Sequence, residues 1–301
     1  MTALSKMTTL IRREVWESRS LWIVPLVISG VILIVAAFGQ IHVGHDGEHN
    51  LFQFLTFLKS DDGDPSGLYG ITMFGFAMVQ LVALGIVVFF YLLDSLLAER
   101  KDRSILFWKS LPVSDTQVVG SKGLTGLVLA PGYVLLITAL TQLAFGLIWW
   151  IRFGSTPLGG IVVPFDGSTW LEVQLSCWAL AFTVMVWYLP LAGYLLLVSV
   201  WARKNGFLWA ILPPIGLMLV EGVLLPTHWF AQFVGERFGG VFRIIGEAGK
   251  NRHLAAGTSD IGDFLQLIGS VFTHYELWAG VIAAAIMFFV VVRLRRYRDD
   301  T

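Results

Sequence analysis

An all-α membrane protein is the fold class that this sequence predicts, on three observations. Apolar residues make up 56% of the 301 and charged residues only 14%, against about 25% charge in soluble domains, and the mean hydropathy is +0.72. Six apolar runs are each long enough to cross a bilayer, which takes roughly 20 residues at helical rise. None of them alternates with period two, and in hydrocarbon every backbone donor must be paired within its own segment, so helices are expected rather than barrel strands.

The elements follow in order. Over residues 4–19, Leu4, Met7, Ile11 and Val15 recur at helical spacing, continued by Trp22, while Lys6, Arg13 and Glu17 face elsewhere. That pattern predicts an amphipathic helix lying in the membrane interface rather than a plain soluble tail. The spans are then Leu21 to Gly39, Ile71 to Leu93, Leu124 to Ile151, Leu171 to Trp201, Phe207 to Pro226 and Leu277 to Val292. About twenty residues precede the first span and its apolar run is longer than that of a signal peptide, so it is expected to be an uncleaved anchor. Cys177 lies inside the fourth span; a lone cysteine offers no disulfide within the chain and is expected to pack as a small apolar residue.

The charges are balanced, with 21 Lys and Arg against 21 Asp and Glu, so no nucleic-acid partner is implied. Their distribution is informative. Fifteen of the 21 basic residues fall before the first span, between the second and third, at Arg203-Lys204, and in the C-terminal tail. Six alternating spans put all of these on one side, and the positive-inside rule makes that side the cytoplasm, with both termini there.

The links between spans differ in content. The first outer loop, 40–70, carries His42, His45, Asp46, Glu48 and His49. Three histidines and two carboxylates have the donor chemistry for zinc, but Gly44 and Gly47 loosen the segment and no Cys contributes, so a solvated loop is expected and no metal. The second, from Arg152 to Trp170, reads as turns. The third outer segment, 227–276, has two helical stripes. Phe230, Phe233, Val234, Phe238, Val241, Phe242 and Ile245 form one, and Ile261, Phe264, Leu265, Ile268, Val271, Phe272 and Tyr275 the other. Neither helix can bury its face alone, so both are expected on, in or capping the membrane bundle, as a gate or as packing.

Within the spans the outstanding residue is Glu221, in a segment that also holds Pro213 and Pro214. An intramembrane carboxylate is a functional-site hypothesis by default, and paired prolines remove donors and can make a hinge. Glu221 is also close to the outer end, so reaching the interface or accepting a hydrogen bond from a neighbour is the reading placed first. Enzyme signatures are not found: Gly120-Ser121-Lys122-Gly123 lacks the rest of a phosphate loop, and neither HExxH nor GxSxG occurs.

The link after the second span, ERKDRSILFWKSLPVSD, is too charged and too aromatic for a simple connection. Glu99 and Arg103 have the spacing and order of a helical ion pair. Helical periodicity runs through Ile105, Leu106 and Trp108 until Pro112, and Ser114 with Gln117 makes a capping box that starts the next helix. A short helix over 98–111 is therefore expected. Its Phe107 and Trp108 fit either a docking surface for another protein or aromatic anchors at headgroup level.

This arrangement resembles the permease subunits of type 2 ABC transporters, the bacterial export-type family with six spans and both termini inside. The features that carry it are LIRREVWESRSLWIVP before the first span, ERKDRSILFWKSLPVSD after the second, and the helical segment between the fifth and sixth, so the likeness covers the whole chain as one permease domain. It implies an ATP-driven exporter in the bacterial cytoplasmic membrane, its pathway formed with a second copy or a paralogue and in contact with membrane lipids. It implies no enzyme activity and no cofactor of its own: ATP and Mg would sit on two copies of a separate ATP-binding subunit. The 98–111 segment would be the coupling helix, with Glu99, Arg100, Asp102, Arg103, Phe107 and Trp108 as contacts to that ATPase. The outer segment is longer than the short re-entrant hairpin expected of the family. A second class is an ion- or proton-coupled carrier with Glu221 titrating and Pro213-Pro214 breaking its helix, and a third is a membrane metalloenzyme using His42, His45 and His49. The sequence does not name a substrate.

Overall fold

The protein is described from a computed structural model covering residues 3–39, 66–102, 113–154, 167–224, 228–251 and 261–297. Among these residues there is no strand, and six helices are long and apolar enough to cross a membrane, as expected. Large apolar side chains cover the outside of the bundle, including Leu140, Leu147, Phe182, Leu212, Val223, Ile282 and Phe289. Water would not tolerate that surface; lipid tails do.

Helix α1 (Ala3–Glu17) ends at a short turn before the first span, α2 (Ser20–Phe38). It is docked more firmly than an interfacial helix needs to be. Leu10 and Glu14 are buried, and Met7 reaches the backbone of Gly120. The inward stripe is therefore Met7, Leu10, Ile11 and Glu14, the i, i+3, i+4, i+7 positions of one face, with an acid in it.

The second span, α3 (Ser66–Lys101), runs on past its apolar stretch to Lys101. The start of the expected link helix thus belongs to α3: Glu99 and Arg100 are its last turn, and Asp102 is the turn that follows. Helix α4 (Asp115–Leu124) begins with the capping box expected of Ser114 and Gln117, each side chain bonded to the other's backbone N–H. A single π turn, Thr125–Leu129, joins it to α5 (Ala130–Phe153). Pro131 has no N–H to close a regular turn, and the wider turn lets Ala130 N–H reach Thr125 O instead. Within it Gly126 lies against Tyr91 and Leu92, where a Cβ would come within 3.1 Å of the Tyr91 ring, so α3 and this turn approach closely.

The expected fourth span, 171–201, is two helices rather than one. Helix α6 (Gly167–Trp187) stops at Tyr188, and α7 (Leu189–Trp201) starts with Pro190 in its first turn. Proline lacks the donor and crowds the carbonyl four residues back, so the helix breaks just before it. Pro213 and Pro214 do not break α8 (Gly206–Leu224), which continues through both; hydrophobic length and the membrane context hold it.

The segment between the fifth and sixth spans forms α9 (Trp229–Asn251) and α10 (Ile261–Thr273), followed by α11 (Tyr275–Tyr297). Helix α10 runs beside α6. Phe264 meets Phe74 of α3 at 6.1 Å, and Phe272 stacks on Phe182 at 6.2 Å. On α9 the expected aromatic stripe is divided. Val241 and Ile244 turn inward with Trp187, Val271 and Leu277, whereas Phe233, Phe238 and Phe242 face out. The reason is Arg237, which needs carbonyl partners and takes the inward face with it.

Two further cores hold the bundle. One, at the end that carries both termini, joins Leu21, Leu92, Leu96, Val119, Leu195, Leu196 and Val291; the other, at the far end, joins Ala36, Met73, Leu135, Phe145, Val173 and Cys177. Cys177 packs as expected. Between α2, α3, α5 and α6 runs a ladder of buried polar side chains: Gln80 donates to Ser29 at 2.7 Å, Thr141 donates to Ser29 at 2.8 Å, Gln142 donates to Met73 O at 2.8 Å, and Gln174 donates to Gln142. Such interhelical bonds add specificity to packing that has no hydrophobic drive in lipid.

Candidate functional site

Of the expected site residues, Glu99, Arg100, Asp102, Pro213, Pro214 and Glu221 are described. His42, His45 and His49 lie outside the described residues, as do Arg103, Phe107 and Trp108 of the link. Among the described residues no cluster has a metal-ligand set.

The link leaves from, and returns to, a buried cluster of charges built by four helices. At its centre Lys122 of α4, 2% exposed, lies between two carboxylates: 2.9 Å from Glu14 of α1 and 3.1 Å from Glu99 of α3. The other oxygen of Glu14 accepts from the Tyr91 hydroxyl at 3.0 Å. The other oxygen of Glu99 accepts from Arg295 of α11 at 2.9 Å, and Arg295 also donates to Asp115 at 3.1 Å. Arg13 comes within 3.6 Å of Glu99 and bonds Glu17 at 2.6 Å. Asp115 occupies the first turn of α4, where the helix dipole favours an anion.

Arg100 ties in a fifth helix. Its guanidinium donates to Ser199 O at 2.6 Å and Ala202 O at 2.7 Å, the free carbonyls at the end of α7. The Ser199 hydroxyl in turn accepts from the backbone of Leu96 and Leu97 at 3.0 and 3.1 Å. Helix α1, the last turn of α3, the first turn of α4, the end of α7 and the end of α11 are therefore joined in one block.

Glu99 and Arg100, expected as contacts to another subunit, thus point into the protein and hold the base of the link; Asp102 lies at the exposed exit. The block's other members were not picked out from sequence. Arg295 counts there only toward the charge asymmetry, and Lys122 beyond that only as part of a fragment that fails as a phosphate loop. Glu14 left a readable signal, since an acid three residues after Ile11 sits on the apolar face of α1 and needs a buried partner.

Glu221 accepts hydrogen bonds from a neighbouring helix, the reading placed first. Its two carboxylate oxygens accept from Phe230 N–H at 3.0 and 2.9 Å, and one also accepts from Ala231 N–H at 3.2 Å. It caps the first turn of α9 from the neighbouring helix, satisfying donors that have no partner within α9. Glu221→Gln keeps an acceptor oxygen and is expected to leave α9 docked, whereas Glu221→Ala is expected to loosen its first turn. Amide hydrogen exchange in residues 229–236 reads the difference. Equal exchange in the two variants would remove the capping role.

Helix α9 is also locked to the break between α6 and α7. Arg237 donates to Glu276 O at 2.7 Å and to Trp187 O at 3.3 Å, and stands 4.9 Å from the Trp187 ring centre. The Trp187 indole donates to Arg237 O at 3.0 Å, and the Tyr188 hydroxyl to Phe238 O at 2.6 Å. Gly280 leaves room for the guanidinium, which a Cβ would meet at 2.7 Å. The helix break thus exposes a carbonyl that the outer helix uses.

No family model, curated protein or solved structure matches this chain.

Proposed function

We propose that this chain is the transmembrane subunit of an ATP-driven exporter in the bacterial cytoplasmic membrane, with both termini and the 103–112 link inside. The observation that supports the reading most is the buried charge block at the base of the link. A connection that merely joined two spans would not need its two ends bonded to α1, α7 and α11 through Glu99, Arg100 and Asp115. A segment that receives a push needs such a base, because force applied to a loop is otherwise lost in bending it.

Two ATP-binding subunits would dock on the links of two permease copies, with ATP and Mg held by those subunits alone. Arg103 and Trp108 are the residue types that anchor such contacts. The buried block would then pass the movement to α3, α4, α7 and α11 together. The experiment is co-expression with an ATP-binding protein encoded beside this chain. A stable complex is expected, whose ATP hydrolysis responds to the permease, and Arg103→Ala with Trp108→Ala is expected to remove that response. Failure to form a complex, or unchanged hydrolysis in the double variant, would reject the reading.

A further inference from the structure

A cavity of about 880 Å³ opens beside the charge block, between the turn joining α1 to α2, the last third of α3 and the first turn of α8. Its walls are of two kinds. Toward the membrane they are Ile86, Phe90, Phe207 and Leu208, all roughly half exposed, with Phe90 and Phe207 stacked at 6.0 Å. Toward the end that carries the termini they are charged.

Most of those charges are already committed. Glu14 and Lys122 belong to the buried block, and Glu17 bonds Arg13. Asp94 and Lys101 are a loose pair at 3.7 Å, with side chains 63% and 47% exposed. Lys204 is exposed and, among the described residues, has no acidic partner. The walls hold three acids and three lysines, and Lys204 is the lysine left without an acid; the N-terminal turn of α8 opens onto the same mouth, so a single negative charge is favoured at that point.

We infer that this cavity binds an anionic membrane phospholipid, its phosphate at Lys204, Lys101 and the start of α8, and its acyl chains along Ile86, Phe90, Phe207 and Leu208. A soluble anion would have no use for the apolar half of the cavity, and a neutral lipid none for the unpartnered lysine. Basic pockets between spans at the charged side of a bundle are the usual form of such recognition. The lipid also answers a structural need. Helix α8 is the least buried of the six spans, at 11%, and its buried residues are Gly206, Ala210 and Glu221, so a bound lipid would fill the gap between α8 and α3. This inference does not depend on the export reading.

The test uses the full chain in mild detergent, with lipid retention measured by native mass spectrometry. One phosphatidylglycerol is expected to survive delipidation. Lys204→Glu and Lys101→Glu are each expected to lower its retention by about fivefold, while Arg203→Glu, next to the cavity but not in its wall, leaves it unchanged. Inorganic phosphate in large excess should not displace the lipid. The inference is overturned by unchanged retention in Lys204→Glu, by an equal loss in Arg203→Glu, by displacement with inorganic phosphate, or by equal retention of phosphatidylethanolamine.

Discussion

Replacing Lys122 with methionine is expected to lower stability by about 3 to 5 kcal/mol, the cost of removing one partner from a buried ion pair. Methionine fills much of the same volume, so lost packing contributes little. The cost arises because Glu14 and Glu99, both under 5% exposed, would face each other without the ammonium that separates them. Lys122→Met combined with Glu14→Gln should recover at least half of the loss. Tyr91 can still donate to the amide carbonyl that Glu14→Gln supplies, and Glu99 keeps Arg295 at 2.9 Å. The thermal midpoint of the purified protein reads both variants, and together with Glu14→Gln alone they form a double-mutant cycle. A Lys122→Met variant as stable as the wild type, or a double variant worse than that single one, would show that the block does not hold α1 to α3 and α4. Because α1 would then lose its ion pair to α4 and keep a short apolar face, the Tyr91–Glu14 bond and the Arg13–Glu99 contact, its amides should exchange faster in Lys122→Met than those of α5.

Trp187→Ala should have a comparable effect at the other end of the bundle, about 3 to 5 kcal/mol by the usual cost of emptying a buried aromatic site. The indole is among the largest fully buried side chains. It shares one buried cluster with Val241, Ile244, Val271 and Leu277 and carries both a hydrogen bond and a cation–π contact to α9. Lipid does not soften this loss, since packing between membrane helices rests on contact rather than on expulsion of water. Hydrogen exchange in residues 237–245 should accelerate by about a hundredfold if roughly 3 kcal/mol of local stability is lost. Gly240→Val approaches the same contact from the other side: any Cβ there lies 2.8 Å from the Trp187 ring, so α9 must move away. Trp178→Ala, a lipid-exposed indole on the same helix, serves as the control and should leave α9 unchanged. Normal exchange of α9 in Trp187→Ala would show that it is held by something other than the α6–α7 break.

Sequence periodicity revealed what depends on local chemistry. Apolar length yields the six spans, because a lipid-embedded backbone has to satisfy itself within each segment. The Ser114 and Gln117 pair foretells the start of α4, because both partners lie within three residues of each other. The amphipathic faces of α1, α9 and α10 are readable for the same reason. Pro190 could also have been read locally, yet the apolar run across it conceals the break: hydropathy measures length and is blind to a missing donor. Likewise Pro213 and Pro214 suggested a broken helix, whereas α8 stays continuous through both.

Read one segment at a time, the chain is therefore an α-helical membrane protein of six spans, its charged links and both termini gathered at one end. Which charges are surface and which are structural was settled only by the packing of the helices. Lys122, Glu14, Glu99 and Arg295 come from four helices, with 108 positions separating Glu14 from Lys122 and 196 separating Glu99 from Arg295, and no periodicity connects residues so far apart. Each side chain is ordinary in its own segment. Only when the helices pack does the loss of water force them to neutralise one another, and that turns the base of a polar link into a rigid block.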